Sequence, residues 1–132
     1  MALTRHLLGL GLPVVVLDYD SERVRLAQGR GLPVFFGNAT RSEVLRAAHA
    51  DRARLVVVAL PEADAASRVV SLVRRLAPEA HVIARAPDET DVDTLNTAGA
   101  DAIVVDSLGT AVELAERVIV LASASPAATP AK

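Results

Sequence analysis

The 132-residue sequence contains no cysteine. That excludes disulfides, thiolate zinc sites, iron–sulfur clusters and cysteine nucleophiles, and nothing in the chain asks for an oxidising compartment. Tryptophan is absent too, and one Tyr and two Phe are all the aromatics there are. Platforms on which bases or sugars stack are therefore scarce. Lysine occurs once, as Lys132 at the last position, so no Walker A or Schiff-base lysine can lie within the body of the fold. The formal net charge is −2, which lacks the basic footprint of a nucleic-acid binder. The longest apolar run, residues 7–17, is broken by Gly9, Gly11 and Pro13 and is too short to span a membrane. The first residues carry no convincing signal-peptide pattern. His6, His49 and His81 are scattered without ligand spacing, which argues against a metal site.

What is present is a globular composition, 52% hydrophobic and 23% charged. The length suits one domain with a core of its own. Short apolar runs rich in β-branched residues alternate with helical patterns. Residues 14–17 and 55–60 read as strands buried on both faces, and residues 33–36, 81–84 and 102–105 read as shorter ones. Val69, Leu72, Val73 and Leu76 mark one face of a helix. Thr40 and Glu43 have capping-box spacing, Asp20 and Asp88 can cap further helices, and Gly29, Gly31 and Gly99 can stop them. The reading is helix 2–11, strand 13–18, helix 21–30, strand 33–36, helix 41–49, strand 54–60, helix 62–77, strand 80–85, helix 89–98, strand 102–105 and helix 108–122. In that last helix Val112, Ala115, Ile119 and Ala122 share one face, and Leu114, Val118 and Leu121 form a second apolar edge. Residues 123–132, rich in Pro, Ala, Ser and Thr, read as a disordered tail. Strands alternating with helices predict an α/β fold with a parallel sheet covered by helices.

Three stretches carry a family resemblance: residues 11–20, ending in Asp18, Tyr19 and Asp20; residues 31–40, ending in Gly37, Asn38, Ala39 and Thr40; and residues 44–48. Residues 82–86 and 98–103 continue it in order. Together they resemble the RCK N-terminal domain, also called TrkA-N or KTN, over about residues 1–122. Nearest in character are the cytoplasmic domains of Kef-type potassium efflux antiporters. The resemblance implies a Rossmann-like doubly wound parallel sheet. It also implies binding of NAD(H) or an adenine nucleotide and regulation of a potassium pathway without chemistry. The family pattern opens with a strand and a Gly-x-Gly-x-x-Gly loop. This sequence has neither, which reads as an N-terminally truncated copy. In the strand order 3-2-1-4-5-6 the first strand is central. Its absence predicts a gap between strands 14–17 and 55–60. Those strands then pair directly, recruit a strand from another chain, or leave the domain poorly stable. Without the glycine loop the pyrophosphate loses its nest of N–H groups, so nucleotide binding by this chain is expected to be weak or absent.

The resemblance implies cofactor-binding roles for Asp18, Tyr19, Asn38, Ala39, Leu60 and Arg85. Asp18 ends a strand where a carboxylate accepts hydrogen bonds from ribose hydroxyls, or it is simply a polar strand terminus. Asn38 stands where the family usually has Asp in a turn beside the adenine, exchanging an acceptor-only group for a mixed donor and acceptor. Arg85 contacts a phosphate or another subunit, or is a solvated surface residue. Leu60 lies in the loop at the switch-point crevice. The implied partners are a second copy of the chain, in a homodimer or larger ring, and the membrane part of a potassium transporter or channel, with no nucleic acid and no membrane insertion of its own. The implied location is cytoplasmic, peripheral to or fused with a membrane transporter. Two other readings stand beside this one: a degenerate dimerisation subunit that binds no nucleotide, and a fragment of an NAD-dependent oxidoreductase. A missing Tyr-x-x-x-Lys pair and substrate lobe weigh against the oxidoreductase.

Overall fold

The computed structural model describes residues 2–105 and 119–123. The apolar β-branched runs form strands: β1 (Val14–Asp18), β2 (Val34–Phe36), β3 (Ala53–Val58), β4 (His81–Ala86), β5 (Ala102–Val105) and β6 (Ile119–Ser123). They build one six-stranded sheet in the order β2-β1-β6-β3-β4-β5. The β1/β2, β3/β4 and β4/β5 pairs are parallel, whereas β6 runs antiparallel to both β1 and β3. The fold is thus mixed α/β with a mostly parallel, Rossmann-like sheet.

Helices cover both faces. They are α1 (Ala2–Gly9), α2 (Ser21–Gly29), α3 (Ser42–Ala47), α4 (Ala63–Leu76) and α5 (Val92–Ala98), with 3₁₀ turns at Ala50–Arg52 and Glu89–Asp91. Asp20 caps α2 as expected, its side chain accepting from the N–H groups of Glu22 and Arg23. Gly31, at φ 78°, lets the chain turn after α2 into a conformation a side chain resists. The smaller core packs Leu7 of α1 and Val24 and Ala27 of α2 against Val14, Val16 and Val34. The larger packs Leu45, Val69, Val73 and Leu95 from α3, α4 and α5 against Leu17, Val56 and Val58. Side chains alternate across the sheet, so β6 serves both: Val120 enters the first core, Ile119 and Leu121 the second.

β6 corrects two expectations. Residues 119–122, expected to end a helix 108–122, form a strand instead; residues 108–118 of that expected helix lie outside the described residues. The gap expected between strands 14–17 and 55–60 is filled. The strand that fills it comes from the same chain: Leu17 and Val58 both pair with Ile119. The physical reason is shared. Two facing strands with open ladders leave backbone groups that must be paired when buried. A short β-branched segment satisfies both ladders at once, which a helix cannot do. Boundaries shift elsewhere. Helix 41–49 shortens to α3 followed by a 3₁₀ turn, because His49 takes up left-handed φ 64° between them. Helix 89–98 begins as a 3₁₀ turn, with Asp88 accepting from the Thr90 N–H.

Candidate functional site

Ligands of open α/β sheets bind outside the carboxyl ends of the strands. Here β1, β2, β3 and β4 end along one edge. Because β6 runs the other way, its first residue, Ile119, lies level with Leu17 and Val58 at that same edge.

Asp18 terminates β1 and is buried, its carboxylate without exposed surface. Its Oδ1 accepts the Asp20 N–H at 2.9 Å and an Arg23 Nη2–H at 2.9 Å, and its Oδ2 accepts the Arg23 Nε–H at 2.7 Å. Arg23 is in the first turn of α2, so the strand end and the next helix are joined by a two-pronged ion pair. The hydrogen bond to Asp18 raises the Arg23 pKa, outweighing the lowering by burial. The sequence points to Asp18 as a candidate ribose ligand but not to its partner, Arg23. Its signal was an Arg five residues after a strand-terminal Asp, a spacing that falls across a turn and belongs to no strand or helix periodicity.

Tyr19, beside Asp18, is 68% exposed and stacks on Phe36, the ring centroids 5.9 Å apart. Phe35 is also largely exposed, so every aromatic residue of the chain stands at this one corner. The Gly37 N–H donates to the Asp18 carbonyl at 3.0 Å and ties the following turn to β1. In that turn Asn38 Oδ1 accepts the Thr40 N–H at 3.0 Å and the Thr40 hydroxyl at 2.6 Å. Because the backbone N–H can only donate, this fixes the amide: oxygen toward Thr40, NH₂ away from it. The expected Thr40 capping box does not form. The cap position of α3 is Arg41, without a side-chain hydrogen bond, since Asn38 has already engaged Thr40. Ala39 is buried in the larger core.

Asp18, Tyr19, Asn38 and Ala39 are thus brought together where β1 and β2 end. Leu60 follows β3, across β6 from them, packed against the larger core. Arg85 lies within β4, in register with Val104 of β5, rather than beyond the strand end. On the α3 side of β1 and β2 an apolar cavity of about 510 Å³ is walled by Val15, Leu17, Phe35 and Val44, with Glu43 and His49 its polar members. Among the described residues no group of three or more His, Asp or Glu is placed to hold a metal. No described helix is long and apolar enough to cross a membrane.

The TrkA-N domain family matches residues 1–106. The chain belongs to the TrkA-N domain family. The match confirms the resemblance read from the residues and takes in β1 to β5 with all five helices, whereas β6 lies beyond it. This TrkA-N domain is 37% identical over 108 residues to the chloroplastic K(+) efflux antiporter 1 of Arabidopsis thaliana, an alignment spanning 82% of the chain and only 9% of the antiporter. Its fold is similar to the TrkA-N domain of the inner membrane protein YbaL from Escherichia coli, with TM-score 0.75, 29% identity and 87% of each chain covered. It is also similar to the Kef CTD of Shewanella denitrificans in its AMP-bound form, with TM-score 0.55, 26% identity, and 74% of this chain and 73% of that one covered.

Proposed function

We propose that this TrkA-N domain is a regulatory module of a potassium transport system, binding AMP or NAD(H) at the corner where β1 and β2 end. The observation that carries the reading is the family match over residues 1–106 together with an AMP-bound relative that covers 74% of the chain. In this reading the domain performs no chemistry. Ligand binding favours one of two arrangements of the assembled protein, and the difference in affinity is what changes ion flow. Tyr19 and Phe36 offer an aromatic surface for a base, and the Asn38 amide offers a donor to its edge. The assembly is a homodimer or ring on the cytoplasmic side of a membrane potassium transporter or channel. Without a glycine-rich loop to hold phosphates, affinity is low.

The test is titration of the isotopically labelled 132-residue chain with AMP and NADH, followed by amide chemical shifts. We expect weak, saturable shifts at residues 18–23 and 36–40. No shifts at millimolar nucleotide overturn the reading and leave the degenerate dimerisation subunit in its place. A low-micromolar dissociation constant overturns the expected weakness and places a phosphate site elsewhere on the chain.

A further inference from the structure

A carboxylate has about four acceptor positions, and three of those on Asp18 are taken by the Asp20 N–H and two N–H groups of Arg23. The Asp18 side chain has no surface left to a ligand, while Arg23 above it is 44% exposed. We propose that Arg23 sets the sugar specificity of this site: while its fork closes Asp18, a nucleotide is held without any contact to its ribose hydroxyls, and the domain does not tell ribose from deoxyribose. This inference rests on the nucleotide reading above.

The competition favours Arg23 on physical grounds. A ribose offers Asp18 neutral hydroxyls that must first be taken from water. Arg23 offers a charged, planar, two-pronged donor already tethered five residues away. Nor does Arg23 serve instead as a receptor for a 2′-phosphate. Asp20 Oδ2 lies 3.7 Å from its Nη1, and Glu22 pairs with Arg25. Three carboxylates, those of Asp18, Asp20 and Glu22, therefore face two guanidinium groups here, which disfavours a phosphate on the ribose 2′ position.

The experiment compares AMP with 2′-deoxy-AMP on the full 132-residue chain, by amide shifts or equilibrium dialysis. The wild-type chain should bind both with the same affinity. Arg23→Ala uncovers Asp18 and should bind AMP roughly tenfold tighter than 2′-deoxy-AMP, the scale of one hydrogen bond to a charged group. Asp18→Asn on top of Arg23→Ala should erase that preference, which a purely structural role of Arg23 does not require. Where Arg23→Ala fails to fold by circular dichroism, Arg23→Lys keeps the charge but loses the fork, and a preference in the same direction is expected. A wild-type chain that already prefers AMP, or folded Arg23 variants without a preference, overturns the proposal and leaves the nucleotide reading intact. Absence of all nucleotide binding in every variant overturns both.

Discussion

Arg74 fastens three segments with one guanidinium. It donates to the carbonyls of Gly99 at 2.7 Å, Pro78 at 3.0 Å and Ala80 at 2.9 Å, and to Asp101 Oδ2 at 2.7 Å. The same Oδ2 accepts the Val82 N–H at 2.8 Å, so the amino ends of β4 and β5 are pinned to the end of α4. Arg74→Ala should cost about 2–4 kcal/mol, since several carbonyls lose a charged donor together; urea unfolding measures it. The Val82 N–H, then Arg74, lowers the Asp101 pKa from its ordinary 3.8. A carboxylate whose folded pKa is depressed contributes stability that is complete above the unfolded value. That contribution is lost as pH falls below about 4 toward the folded pKa. Asp101→Asn should therefore flatten part of the acid limb of stability, and an unchanged limb would remove Asp101 from the account. At this scale the sequence was legible where one residue acts on its own backbone. Asp20 caps α2 as read, and Asp88 caps the 3₁₀ turn that leads into α5. It was illegible where two side chains compete for one partner. Arg23 closes Asp18, and Asn38 takes Thr40 from its capping box, and neither contest leaves a periodic trace.

Five strands and five helices could be read from alternation because each has either a buried β-branched run or a helical stripe. β6 could not. Ile119 and Ala122 fall at helical spacing with Val112 and Ala115, yet the run from Ile119 to Ala122 also fits a strand buried on both faces, and periodicity alone does not separate the two. What decides is non-local: the open ladders of β1, about a hundred residues before β6 in sequence, and of β3, about sixty before it. Val120 is 1% exposed, at the junction of two strands and a helical layer. Val120→Asp should cost at least ~3 kcal/mol by burying a charge without a partner. That is a large share of the roughly 5–15 kcal/mol that holds a domain together. The same change at Val104, 54% exposed on β5, should be close to neutral, and a comparable loss at both positions would deny β6 its central place. At the turn after β2, a Cβ on Gly37 would come within 2.8 Å of Val44 Cγ1. Gly37→Ala should therefore cost about 1–3 kcal/mol through overpacking and shift the amides of residues 36–40.

Across the whole molecule the sheet is two parallel halves, β2-β1 and β3-β4-β5, joined through a strand that runs against both. Self-association through an open sheet centre, which the sequence suggested, loses its cause once β6 is in place. Amide exchange should be slowest for Val16, Val56 and Val120 at the seam and fastest along the outer edge of β5; uniform protection would contradict the arrangement. Burial and pairing at the seam explain how the finished sheet holds, but they also fix when it can be finished. A ribosome delivers all of β1 through β5 before residue 119, and until that residue emerges β6 is not there to join the two halves. Contacts that link Leu17 to Ile119 close a loop of about a hundred residues, the kind of connection that makes folding slow. A nascent chain arrested with residues 119–123 still inside the exit tunnel should be cut readily by protease, and one arrested after they are free should resist.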